Sequence, residues 1–166
     1  DLRYYYSSKA LYKIDFLQNY SKYIKPYFFA ACGKSKKALI FDCDNTLWKG
    51  VLGEDGFENI EMSSRTPDGA IFSEIQAIAL NLSKQGVLVG LCSKNNLEDV
   101  NEVLDHHKDM LLRTKNITFN KSNWLDKATN IKEISNELNI GLDSIVFVDD
   151  SSFEVNLIRD QLPEVH

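Results

Sequence analysis

Three apolar runs in this chain, Ala38–Phe41, Val87–Cys92 and Ile145–Val148, each stop on an abrupt polar cluster: Asp42-Cys43-Asp44-Asn45-Thr46, Ser93-Lys94-Asn95-Asn96 and Asp149-Asp150-Ser151-Ser152. Short apolar runs bounded by polar turn residues read as buried strands. Between them the periodicity becomes helical. Ile71, Ile75, Ile78 and Leu82 predict a helix ending at Gly86, and Leu97, Val100 and Leu104 a short one. Ala128, Ile131, Ile134 and Leu138 predict a third, with Gly141 shortly past its end, and a last short helix lies near Val155 to Ile158, before Pro163. With a short third strand at Ile117 to Phe119, the alternation predicts an α/β domain whose parallel sheet is flanked by helices.

The N-terminal part is different. All seven tyrosines fall within the first 27 residues. Phe16, Leu17, Tyr20, Ile24, Tyr27 and Phe28 recur at helical spacing, with Pro26 as a kink. Residues 1–33 therefore read as an aromatic-rich helical segment that packs on the core or links it to a neighbouring domain; residues 34–166 read as the α/β domain. Cys32-Gly33-Lys34-Ser35 imitates the tail of a phosphate-binding loop, but position 28 is Phe where glycine is required and a strand follows where a helix should. It reads as a turn.

Composition removes several function classes. At 166 residues the chain is long enough for one real core. It carries 24 acidic against 19 basic side chains, a net charge of −5, and no basic stripe, which argues against nucleic acid. No apolar stretch approaches the roughly 18 residues of a membrane span. Three cysteines, Cys32, Cys43 and Cys92, lack disulfide or metal spacing and point to a reducing, cytoplasmic setting. The chain opens on Asp1 without a signal-like segment and reads as a piece of something longer.

In open parallel sheets ligands bind beyond the carboxyl ends of the strands, so the three polar clusters should meet at one edge. Residues two apart in an extended stretch point the same way, letting Asp42 and Asp44 face one site while Cys43 faces elsewhere. Two such charges 4 Å apart repel by about 4 kcal/mol at an effective dielectric of about 20. A cation must sit among them. Oxygen donors without His or Cys select a hard ion, and few ligands with open positions favour magnesium over calcium. His106 and His107 are adjacent and would not share a helical face, so they do not read as a metal pair.

The strings FDCDNTLW, LCSKN and FVDDSSFE resemble the first, second and fourth motifs of the haloacid dehalogenase (HAD) superfamily of phosphotransferases. DNTLWKGVLGEDG, GVLVGLCSKNN, NWLDKATNI, LNIGLDSIVFVDD and LPEV extend the resemblance to its capless, FkbH-like branch over almost the whole chain. The resemblance implies a Rossmann-like fold and a magnesium-dependent reaction. Asp42 would be the nucleophile that carries the phosphoryl group, and Asp44 the general acid and then base. Thr46 would steady Asp44 and its loop, or simply stabilise a turn. Ser93 would donate to the phosphoryl oxygens, with Lys94 and Asn95 beside it in the substrate site. Asp42, the carbonyl of Asp44, Asp149 and Asp150 would hold the metal. Lys127 best fits the phosphate-balancing cation, with Lys121 and Lys94 as alternatives. Glu154 would orient a ligand or cap a helix. Some FkbH-like proteins are associated with moving a glyceryl unit to an acyl carrier protein, which makes Cys92 a candidate acyl acceptor; otherwise Cys43 and Cys92 are small buried hydrophobes.

Members of this superfamily often insert a cap. Here Gly50 to Thr66 has room only for a small hairpin flap after the first strand, so the site should be open. An open site needs a large substrate or partner to exclude water, which favours a phosphorylated substrate borne on a carrier protein. Lys49 departs from the glycine common at its position in the FkbH-like pattern and bears on the flap or on substrate choice. Val165-His166 falls about where a fifth strand would begin. Two rivals remain: a catalytically idle scaffold or interaction domain, and a receiver-like phosphoacceptor, which places its acidic pair after the first strand where this chain has it last.

Overall fold

The computed structural model describes residues 2–9 and 11–166. They fall into two compact units, Asp1–Ser35 and Lys36–His166. The first holds helix α1 (Leu2–Ser8) and helix α2 (Ile14–Ala31). α2 runs through Pro26 and buries none of its residues. Along it Phe16 stacks on Tyr20 at 5.9 Å, and Tyr12, just before the helix, stacks on Phe16 at 4.5 Å. No helix among the described residues is long and apolar enough to cross a membrane.

The second unit is a parallel sheet in the order β3-β2-β1-β4, with β1 (Ala38–Phe41), β2 (Leu88–Ser93), β3 (Phe119–Ser122) and β4 (Ile145–Val148). Helices α3 (Leu52–Asp55) and α4 (Pro67–Lys84) follow β1, α5 (Leu97–His106) follows β2, α6 (Lys127–Leu138) follows β3 and α7 (Ser152–Gln161) follows β4. This order is unlike the 2-1-3-4-5 sheet of receiver domains, so the receiver-like reading is not the fold. Alternation along the strands divides the core. Leu39, Phe41, Val89 and Leu91 pack with residues of α4 and α5, while Ala38, Ile40, Cys92, Ile145 and Phe147 pack with Ala128, Ile131, Ile134 and Ile158 of α6 and α7. Gly90 permits this second packing, because a β-carbon there would lie 2.0 Å from the Phe119 ring.

Local chemistry sets the helix ends. The Thr66 hydroxyl caps α4 by accepting from the Gly69 N–H at 3.1 Å, with Pro67 at the first helical position. Asp126 caps α6 by accepting from the Thr129 N–H at 2.8 Å, and Ser151 caps α7. At the other end, α4 stops just before Gly86, which has φ +93°.

Three expectations are revised. The third strand runs over Phe119–Ser122 instead of 117–119, because Thr114–Asn116 forms a 3₁₀ turn that occupies the approach, and the Thr118 N–H bond to the Val89 carbonyl opens the pairing with β2. Strand β3 is a half-buried edge, and its Asn and Lys residues hid it from an apolar-run search. The predicted isoleucine stripe of α4 coincides with its buried face only in part: Ile75 packs half-buried against the core and Ile71 and Ile78 are exposed, while Gly69, Ser73, Gln76 and Ala79 are buried. Gln76 spans this interface, its Nε2 donating to the Leu47 carbonyl at 2.7 Å and its Oε1 accepting from the Leu111 N–H at 2.8 Å. The flap is a helical turn, α3, rather than a hairpin. Its base is closed by reciprocal backbone bonds between Lys49 and Glu61, with the Lys49 ammonium bonded to Asp68 at the start of α4. At the other end of the chain, His166 exchanges backbone bonds with β4 in a parallel pattern, donating to Ile145 at 3.1 Å and accepting from Phe147 at 2.8 Å.

Candidate active site

Register brings the acidic clusters together. Phe41 pairs with Val148, so Asp42 and Asp149, each the next residue, emerge side by side, and the Asp42 N–H donates to the Val148 carbonyl at 2.9 Å. Asp42 continues the side of β1 that carries Ala38 and Ile40, toward α6. There Lys127, the first residue of α6, places its ammonium 2.7 Å from Asp42 Oδ1 and 2.6 Å from Asp149 Oδ2. All three side chains are at least nine-tenths buried. Burial is the largest influence on Asp42 and holds its carboxyl above the ordinary value against the pull of the Lys127 ammonium. Burial works against the charge on Lys127, but the two carboxylates outweigh it, so the ammonium is held above its ordinary value.

Asp44 sits in a different environment. Oδ1 accepts from Trp48 Nε1 at 2.9 Å and from the Leu52 N–H at 3.0 Å, and Oδ2 accepts from Asn95 Nδ2 at 2.9 Å. Asn95 also donates to Ser93 Oγ at 3.1 Å, and Ser93 lies near enough to Asp42 to favour its charged form. Ser93 thus stands between the two carboxylates, while Cys43, between them in sequence, points away and is fully buried in the core beside α4 and α5. The turn at Asn45, with φ +52°, reverses the chain after Asp44, and Asn45 Oδ1 accepts from the Gly50 N–H at 3.0 Å.

One oxygen each from Asp42, Asp149 and Asp150 lies within 4.8 Å of the others, a set able to hold a metal ion. The Asp44 carboxylate is not in that set; it is occupied by its three donors. Thr46 Oγ1 accepts from the Asp150 N–H at 3.2 Å, tying the first loop to the last instead of bonding Asp44. Asp149 is further oriented by the Ser151 N–H at 2.8 Å. Asn45, Thr46, Ile75, Val148, Asp149 and Asp150 line a recess of about 170 Å³ that opens beside these loops.

Of the alternative lysines, Lys121 is bound to Glu133 and Glu137 on α6, away from the cluster. Lys94 is bonded to Glu154 at 2.6 Å. Glu154 therefore holds this lysine; its other oxygen, Oε2, is buried without a partner. The helix cap expected of it is supplied by Ser151. The acyl-acceptor expectation for Cys92 is corrected. Its side chain is fully buried against α6, and burial pushes its thiol up to about 12, so it is neither exposed nor nucleophilic. Two contributors had no assigned role in the sequence: Trp48, whose buried indole reaches back four residues to Asp44, and the Leu52 N–H, presented by the first residue of α3. The signal for Trp48 was present, since a large buried residue with one polar atom needs a partner.

No protein-family model and no curated protein matches this sequence. Solved structures do. A Moraxella catarrhalis 3-deoxy-D-manno-octulosonate 8-phosphate phosphatase, in complex with magnesium, phosphate and KDO, superposes with a TM-score of 0.53 at 18% identity, over 82% of this chain and 68% of that one. The HAD-family enzyme bt-2542 of Bacteroides thetaiotaomicron, in complex with magnesium and inorganic phosphate, gives 0.50 at 13% identity, over 80% of this chain and 93% of that one. The chain has the HAD fold. The N-terminal part of the protein BF1531 from Bacteroides fragilis, which contains a phosphatase domain and is complexed with magnesium, is far more similar in sequence: TM-score 0.83 and 38% identity over 99% of this chain. This chain spans 44% of that one, less than half its length. As in the capless arrangement expected, the described residues place no cap domain over the strand ends of this HAD fold; the α3 flap is the only insertion between β1 and α4.

Proposed function

We propose that this chain is a magnesium-dependent phosphotransferase domain working through an aspartyl phosphate on Asp42. The observation that carries the reading is the buried Asp42–Lys127–Asp149 cluster beside an Asp44 held by entirely separate donors. The donor set fits a hard divalent ion: three carboxylates and one ammonium leave two negative charges among oxygen donors that lie within 4.8 Å. Asp42, Asp149, Asp150 and the Asp44 carbonyl would hold magnesium, which when bound would neutralise charge on the phosphoryl oxygens.

In this reaction a carboxylate oxygen of Asp42 attacks phosphorus, and the bond from phosphorus to the ester oxygen breaks. Protonated Asp44 gives its proton to that leaving oxygen. Asp44, now a carboxylate, takes a proton from water as its oxygen attacks phosphorus, the Asp42–phosphorus bond breaks, and inorganic phosphate leaves. Lys127 and the Ser93 hydroxyl balance and position the phosphoryl oxygens, with Lys94 and Asn95 beside them, and Thr46 keeps the two motif loops in register. Intact donors around both carboxylates favour this over an idle scaffold.

The FkbH-like resemblance and the open site support a finer reading, in which the substrate is a phosphoryl or phosphoglyceryl group destined for, or borne on, an acyl carrier protein whose surface closes the site. Three free cysteines suit a reducing cytoplasm for this chemistry. The test is incubation with magnesium and a panel of phosphate esters, including a phosphoglyceryl donor with and without carrier protein. Phosphate release or transfer that is lost in Asp42→Asn is expected. Equal behaviour of wild type and Asp42→Asn overturns the enzymatic reading, and equal rates on free and carrier-bound substrate overturn the carrier reading.

A further inference from the structure

Trp124 is the second of only two tryptophans in the chain, and its exposure of 71% is unusual for so large an apolar surface. It is nevertheless anchored. Its Nε1 donates to Asn96 Oδ1 at 3.2 Å, and the Asn96 amide in turn donates to Asp99 at 3.1 Å. The loop beneath it is bound at several points: the Asn123 N–H donates to the Ser93 carbonyl at 3.0 Å, the Asn123 and Asn130 amides bond reciprocally, and the Leu125 N–H donates to Asn123 Oδ1 at 3.0 Å. The ring is thus an outward-facing apolar surface on a rigid support. A ring that only filled space would be buried, and a solvated loop would not need this bracing.

Its place in the site is given by its partners. Asn95 bonds Asp44, and the next residue, Asn96, bonds Trp124. Trp124 therefore stands against the β2 loop that also carries Asn95, the donor to Asp44, and three residues before Lys127. Leu97, 40% exposed, follows Asn96, and Leu125, 54% exposed, follows Trp124, so each of the two loops carries a further exposed apolar side chain. Resting on the phosphoryl-transfer reading of Asp42 and Asp44, we infer that Trp124 is a specificity-determining residue, a wall against which a planar or extended apolar leaving group packs, and that this site selects phosphate monoesters with such a group next to the ester oxygen. Aromatic faces favour flat apolar partners by both burial and offset stacking.

The test compares 1-naphthyl phosphate with glycerol phosphate in the presence of magnesium, for wild type, Trp124→Ala and Trp124→Phe. Trp124→Ala should lower kcat/KM for the naphthyl ester about tenfold, the scale of one lost stacking contact, and leave the glycerol ester within about twofold. Trp124→Phe, which keeps a ring but loses the bond to Asn96, should retain most of the preference. Equal ratios in wild type and Trp124→Ala, or an equal fall on both esters, overturn the proposal. Binding of naphthylmethylphosphonate, which has no ester bond to break, separates it from the reaction. Weaker phosphonate binding by Trp124→Ala with inorganic phosphate binding unchanged supports the wall even where neither ester turns over, an outcome that defeats the reaction reading alone. Unchanged phosphonate binding, or none, overturns the wall.

Discussion

Around Asp42 the protein places a full ammonium and a second carboxylate, all buried; around Asp44, two residues away, it places only neutral donors from an indole, an amide side chain and a backbone N–H. The first region is organised by charge. Its ion pairs are inaccessible to solvent, and removing one member leaves the others uncompensated in a poor dielectric. The second is organised by direction: three donors fix both oxygens of Asp44 without committing a charged partner. Two identical side chains are thereby given different surroundings by what α6, the flap and the β2 loop bring to them.

Replacing the charge at the first carboxylate should do the most damage. Lys127→Met leaves Asp42 and Asp149 facing each other without a cation, so a loss of about 3–5 kcal/mol of stability is expected in denaturant unfolding without magnesium, together with loss of turnover. A variant as stable as wild type would mean that the cluster is not organised by charge. Asp44→Asn touches only the second region. Its rate on alkyl phosphates should fall by about 10²–10⁴, the usual worth of a general acid or base, with a smaller fall on aryl esters whose leaving group needs no proton; a uniform fall would contradict the proposed role.

A subtler change tests direction alone. Asn95→Ala removes one of three donors from Asp44 and should lower kcat about tenfold, within the range for a hydrogen bond to a charged group, while its melting curve moves less than that of Lys127→Met. The smallest effect separates the site from the pH dependence of folding. Burial holds the His107 imidazole below its ordinary value, and Nδ1 accepts from the Asp109 N–H at 3.3 Å, a bond only the neutral ring can make. The unfolded chain therefore takes up this proton first. Stability should be level above about pH 6.5 and fall as the pH drops through the lower folded value, by about 1 kcal/mol for the lost bond. Melting temperatures at pH 7.5 and 5.5 for wild type and His107→Gln measure this, and an undiminished difference in the variant would move the effect to the carboxylates.

Much of this site was legible in sequence because its parts are strand ends. Apolar runs that stop on Asp42, Ser93 and Asp149 name both the sheet and the edge where ligands gather, and the stripe Ala128, Ile131, Ile134 and Leu138 names the helix that carries Lys127. The polar edge strand β3 starts two residues later than expected because it carries no apolar run, and the isoleucine stripe marks the buried face of α4 only at Ile75, because Gly69, Ser73 and Gln76 fill the rest of that face.

By itself, the order of residues determined the α/β alternation, the acidic pair two apart and the short stretch between β1 and α4, since each follows from local periodicity or from the spacing of the elements. Only the tertiary structure decided which lysine meets Asp42, that Thr46 holds Asp150 and not Asp44, that Trp48 reaches back to Asp44, and that Cys92 lies under α6 with no way out. Those choices depend on strand register and on which face of α6 lies against β2. Contacts spanning 85 residues, such as Lys127 to Asp42, have no local signature and are set by the packing of the whole sheet.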